Sequence, residues 1–157
     1  MKYQVGFTMD SNITDDYKTR LKDYSWWVSI VRKVCKIANN FEIRCWSNDE
    51  EAIRTGQKYG EAVKNTHTAE MVFTGKITSE FVNEITSNYL SIQNSLKWFT
   101  IIFYTDTTMI FASEHYGGEP YLFQLSKEDL QELKKWVKQY SCILGLHIYE
   151  DISKEFE

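Results

Sequence analysis

Between Ile85 and Ser113 only Lys97 and Asp106 carry a charge. The centre of that stretch, Leu96-Lys-Trp-Phe-Thr-Ile-Ile-Phe-Tyr-Thr105, is β-branched and aromatic and is apolar at both parities. Such a run predicts a central strand with both faces covered, and it places the core of the fold. It holds no catalytic signature. The chain of 157 residues is 43% hydrophobic, enough for one packed domain and far from a disordered composition.

Other elements follow from periodicity. Lys2 to Met9 alternates, with Tyr3, Val5, Phe7 and Met9 on one side, as a half-buried strand does. Asp10 to Asn12 reads as a turn. Tyr17, Leu21, Tyr24, Val28, Val31, Cys35 and Ala38 recur at helical spacing, with Trp27, Ile30, Val34 and Ile37 beside them. They predict a long helix capped by Thr14, with Asp15 and Asp16 at the positive end of its dipole and Asn39-Asn40 as its stop. Phe41 to Trp46 alternates again, and Ser47 or Asn48 then caps a helix opening on Asp49-Glu50-Glu51. Gly56 and Gly60 on one face of that helix predict close approach to a sheet, since glycine inside a helix otherwise costs about 1 kcal/mol.

His67 to Ile77 reads as a third strand, followed by a helix from Thr78 or Ser79 carrying Phe81, Val82, Ile85, Tyr89 and Ile92. Asp106-Thr107 predicts a tight turn from the central strand into Thr108 to His115, and Gly117 to Pro120 a looser one into Tyr121 to Leu125. Ser126 and Asp129 start the last helix with a capping box, and Cys142 to Tyr149 is the final strand. Residues 1–150 form one domain and 151–157 a frayed tail. The order β-α-β-α-β-α-β-β-β-α-β, with polar faces on the strands, predicts an α+β two-layer sandwich: a largely antiparallel sheet with helices on one face. A three-layer mixed α/β fold is the alternative.

Chemistry is sparse. Glu114-His115-Tyr116-Gly117-Gly118-Glu119-Pro120 places two carboxylates, an imidazole and a phenol around a flexible turn. A site there would do acid–base work through Glu114 and His115, with Glu119 or His147 assisting; the same residues also suit a plain hairpin loop. The three histidines lack the spacing of a metal site, and no cofactor or metal is expected. Cys35, Cys45 and Cys142 are odd in number and far apart, which predicts buried free thiols in a reducing compartment. Gly56-Gln-Lys-Tyr-Gly60 lacks the phosphate-loop pattern. A net charge of −4 disfavours nucleic acid and suits a basic protein partner. The N-terminus lacks the apolar stretch of a signal peptide, and no window reaches the roughly 18 apolar residues of a membrane span, so a cytoplasmic protein is expected.

Trp46 falls on the polar parity of its strand with Glu42 and Arg44, and Asp49, Glu50 and Glu51 follow it. A partly exposed tryptophan rimmed by charge is a protein-interface pattern. With the loop residues Glu114, His115, Glu119 and Tyr121 it makes up the candidate partner-binding set. In size, acidity, aromatic content and poverty of catalytic motifs the chain resembles the small immunity proteins that neutralise bacterial polymorphic toxins. That resemblance implies an antitoxin-type inhibitor, not an enzyme, that occludes a basic toxin domain such as a nuclease. A small acid–base enzyme and a structural or assembly subunit, monomeric or a homodimer joined through a strand edge, are the alternatives.

Overall fold

The computed structural model describes residues 1–14, 18–64 and 69–151. In chain order the elements are β1 (Lys2–Met9), β2 (Ser11–Ile13), β3 (Thr19–Leu21), α1 (Ser25–Val34), β4 (Asn40–Cys45), α2 (Glu50–Tyr59), β5 (Glu61–Ala62), β6 (Met71–Lys76), α3 (Ser79–Ser87), β7 (Thr100–Thr105), β8 (Thr108–Glu114), β9 (Glu119–Leu125), α4 (Lys127–Val137) and β10 (Ile143–Asp151). Among the described residues, eight strands form one sheet in the order β10-β1-β9-β8-β7-β4-β6-β5, every pairing antiparallel. The strands β2 and β3 make a separate hairpin.

Two adjacent rows define the two faces of the sheet. One runs Gly75–Phe41–Phe103–Phe111–Leu122–Val5–Ile148. The next runs Thr74–Glu42–Ile102–Ala112–Tyr121–Gly6–His147. All four helices pack on the first face. Trp27 of α1 tilts against Phe111, Phe81 of α3 stacks on Phe41 at 4.1 Å between centroids, and Trp136 of α4 meets Phe7. Gly56 brings α2 onto Phe73: a Cβ there would lie 2.4 Å from the Phe73 ring. The fold is therefore the α+β two-layer arrangement: side chains alternate across each strand, and the helices cover one parity.

Local chemistry sets the helix ends. The hydroxyl of Thr78 accepts from the Phe81 amide. Ser126 and Asp129 form the reciprocal capping box of α4, and the Ser126 amide holds the Asp129 carboxyl below its ordinary value. At α1 the Asp23 carboxylate accepts from both the amide and the hydroxyl of Ser25.

Several expectations are corrected. The helix expected from Thr14 begins only at Ser25, and the stretch before it holds the β2–β3 hairpin instead of a turn and a first helical half. Thr14 does not cap a helix: its hydroxyl donates to the Lys18 carbonyl and accepts from the Lys18 amide, closing the hairpin. Asp15, Asp16 and Tyr17 lie outside the described residues, as do His67 and the segment 152–157. The helix also stops at Val34, short of Ala38. The N-cap of α2 is Asp49, not Ser47 or Asn48. The third strand starts at Met71, and α3 ends at Ser87, leaving Ile92 exposed beyond it. The central strand begins at Thr100, four residues late, because Leu96 and Trp98 plug the core from a loop without a ladder partner beyond the single bridge of Leu96 to Leu90. Asp151 is the last residue of β10 and not the start of a tail.

Cys45 and Cys142 are buried and Cys35 half-buried, all as free thiols. Burial pushes Cys35 and Cys45 up to about 12, with the Asp49 and Glu70 charges adding to Cys45. No helix among the described residues is long and apolar enough to cross a membrane.

Candidate binding surface

The two segments that the sequence nominates are 68 to 70 residues apart (Trp46 to Glu114 and to Tyr116), and one residue joins them. Phe99, in the loop entering β7, packs against Trp46 at 5.1 Å between centroids, against His115 at 5.2 Å and against Tyr116 at 5.4 Å. The last two contacts are edge-on, a favoured aromatic geometry. Trp46 is half-buried, so it serves both as packing and as surface.

Beneath this aromatic group lies Asp49. It is 4% exposed, so it is not the surface acid that its sequence neighbours suggest. Its Oδ1 pairs with Lys18 Nζ at 3.0 Å. Its Oδ2 accepts from the Tyr116 hydroxyl at 2.9 Å and from the Trp46 amide at 3.2 Å. The Lys18 ammonium also lies over the Tyr116 ring, 5.1 Å from its centroid. A buried carboxylate needs such partners, and here they are drawn from β3's approach, the β4–α2 junction and the β8–β9 loop. Glu51 is also partly committed to the fold, its Oε1 accepting from the Ile92 amide at 3.1 Å. Glu50 alone of the three acids is exposed, with no described bond to its carboxylate.

The β8–β9 loop is tighter than a Gly-Gly turn implies. His115, Tyr116 and Gly117 all sit at positive φ, 52°, 56° and 88°. Two of those three positions carry side chains, so the left-handed backbone is held by contacts and not by glycine freedom alone. The buried phenol of Tyr116, tied to Asp49, and the His115 ring, standing on Phe99, supply them.

Glu114 and Glu119 stand directly opposite each other across β8 and β9, a repulsive arrangement for like charges. His115 Nδ1 lies 3.1 Å from Glu119 Oε2, each side chain 51% exposed. The three residues offer ligand atoms within 4.8 Å of one another, a nitrogen and two oxygens of the kind that zinc accepts. Tyr121 follows on the outer face, its phenol held above the ordinary value first by burial and then by the Glu119 and Glu114 charges. Chemically the cluster can exchange protons, but His115 and Glu119 are half exposed. An open groove of about 810 Å³ is lined by residues that include Glu42, Tyr59, Thr74 and Tyr104, and a smaller one of about 300 Å³ by residues that include Lys18, Asp49, Glu50 and Glu51.

Glu42 and Arg44 lie on the outer face of β4 and pair with each other at 2.8 Å. The Tyr104 phenol is raised, first by burial and then by Glu42. His147, the other imidazole considered for catalysis, is two strands from Tyr121 in the same row and bonds Thr8 Oγ1 at 2.9 Å. It does not join His115.

Sequence reasoning missed Phe99 and Lys18, and it placed Tyr116 in the loop without its bond to Asp49. Tyr116 carries a readable signal: a tyrosine inside a polar loop must either expose its ring or find a partner for its hydroxyl. Phe99 is hidden inside the apolar run, and Lys18 pairs with a residue 31 positions away.

Comparison with protein-family models, with curated protein sequences and with solved structures finds no match.

Proposed function

We propose that this chain is a cytoplasmic protein-binding protein of the immunity or antitoxin kind, which occludes a basic toxin domain such as a nuclease. One observation carries the reading: two distant segments, each nominated by charge and aromatic content, converge through Phe99 into a single half-exposed surface. Aromatic side chains ringed by charge anchor protein interfaces. The acids Glu50, Glu114 and Glu119 border it, and the chain as a whole is acidic, which speeds encounter with a basic partner. The exposure of the Glu114, His115 and Glu119 group supports docking over catalysis, since acid–base sites gain from enclosure.

The experiment is capture of a stoichiometric partner from the source cell, followed by binding kinetics. Trp46→Ala removes an anchor and is expected to raise the dissociation rate, by about 2 kcal/mol in affinity where the residue is a hot spot. Glu50→Lys with Glu119→Lys is expected to slow association, an effect that shrinks as salt rises. Folding of each variant is checked by circular dichroism. Unchanged rates for both folded variants, or a partner that is not basic, would overturn the reading.

A further inference from the structure

The closing pair of the β8–β9 hairpin sets two carboxylates face to face. Glu114 and Glu119 are register partners in the antiparallel ladder, which holds their Cβ atoms about 4.5–5.5 Å apart on the outer face of the sheet. His115, one residue on, would point to the helix side in a regular strand. Its left-handed backbone, at φ 52°, turns the ring back, and Nδ1 comes to 3.1 Å from Glu119 Oε2. Edge-on contact with Phe99 holds the ring in that orientation.

Charge at this point is unbalanced. Among the described residues no lysine or arginine pairs with Glu114 or Glu119. Directly opposed like charges on neighbouring strands are destabilising. The Tyr121 phenol, next along the same face, feels the charge of both. A cation held between the two carboxylates would remove that repulsion.

We propose that Glu114, His115 and Glu119 bind a divalent transition-metal ion of the zinc type. Two donors at zinc-ligand distances and tetrahedral angles lie roughly 3.3–3.6 Å apart. The nitrogen–oxygen gap of 3.1 Å is already close to that. The ligand atoms of all three residues lie within 4.8 Å of one another, a spread that side-chain rotation closes. Imidazole beside carboxylates selects zinc-like ions over magnesium and calcium, which take oxygen ligands. The histidines lack helical ligand spacing, and the hairpin register supplies the alternative: ligands at i, i+1 and i+5 meet across a turn. Three protein ligands leave a fourth position, and the half-exposed side chains turn it to solvent. The site belongs to the chain alone and does not rest on the partner proposed above.

Isothermal titration calorimetry of the full, tag-free chain with zinc chloride is the test. One ion per chain is expected, with no comparable heat from magnesium or calcium chloride. His115→Asn, which tolerates the left-handed backbone, should weaken zinc about tenfold or more. Glu114→Gln with Glu119→Gln should do the same, and His147→Ala should leave the affinity unchanged. Circular dichroism spectra of all variants should match the wild type. Zinc should raise the melting temperature of the wild type and not that of His115→Asn, a readout that a merely structural histidine would not move. Cobalt in place of zinc should show no thiolate charge-transfer absorption, which separates this site from the three free cysteines. No binding up to about 1 mM zinc would overturn the proposal. So would binding indifferent to His115→Asn, a thiolate signature, or weak heat shared equally by magnesium and calcium.

Discussion

The two faces of the sheet are built from neighbouring positions on the same strands, yet they obey different rules. Phe103 faces the helices, fully buried, stacked on Phe111 and backed by α1. Ile102, the preceding residue, faces outward, where no helix covers it, and is still only 4% exposed. Glu42 and Ala112 stand beside it in the sheet. The lesson is that a strand apolar at both parities does not require two helical layers. Long side chains on adjacent strands can close one face by leaning over a small core of their own.

That contrast can be broken most directly at its centre. Phe103→Ala opens a cavity among close-packed rings and should cost about 3–5 kcal/mol, a large share of a domain's stability. Ile102→Val removes one methylene under a pliable cover and should cost about 0.5–1.5 kcal/mol. Urea denaturation midpoints of the two variants check this, and equal losses would mean that the outer face is as rigid as the inner.

Glycine gives the next comparison. Gly56→Ala drives a methyl to 2.4 Å from the Phe73 ring, which is locked in the core, so overpacking of about 1–3 kcal/mol should outweigh the gain in helix propensity. Gly6→Ala meets only the edge of the half-buried Tyr121 ring at 3.1 Å, and that ring can tilt away. Its cost should stay under about 1 kcal/mol by thermal denaturation.

Ionisation adds a pH dependence on the helix side of the sheet. The Cys35 and Cys45 thiols, pushed up to about 12 from 9.0 by burial, stay protonated in the folded chain where the unfolded chain has released its protons. The stability they contribute is fully present below pH 9 and is lost as pH rises toward 12. Denaturation at pH 8 and pH 10.5 should show that fall, smaller in Cys45→Ser than in the wild type. Native labelling should be slow at both cysteines, and three thiols should react after unfolding.

The smallest effect belongs to the exposed pair on the outer face. Arg44→Ala should change stability by no more than about 1 kcal/mol, since the Arg44 side chain is 45% exposed. A larger loss would show that the Arg44 stem is part of the cover over Ile102.

Much of this was readable from residue order, and the failures have physical causes. Alternation located β1 and β4 because a one-sided sheet writes its burial directly into period two. The Ser126 and Asp129 capping box and the Gly56 approach were legible because each depends on nearby residues. The long first helix was misread because Leu21 and Tyr24 are buried for another reason: the Tyr24 hydroxyl accepts from the Leu21 amide at the foot of the β2–β3 hairpin. Periodicity cannot tell a helical stripe from two residues that meet through a turn. For the site, Trp46 and His115 were visible singly, but their union depends on two long-range contacts, Trp46 with Phe99 and Asp49 with Tyr116, the latter 67 residues apart in sequence.

The Asp49 carboxylate has a consequence for any partner that reads this surface. By gripping the Trp46 backbone and the Tyr116 hydroxyl at once, it fixes the spacing of the tryptophan and the histidine loop before anything docks. The entropy of assembling that surface is then lost during folding rather than on association, which leaves more of each contact available as affinity. Asp49 can therefore govern the strength of a complex that it never touches.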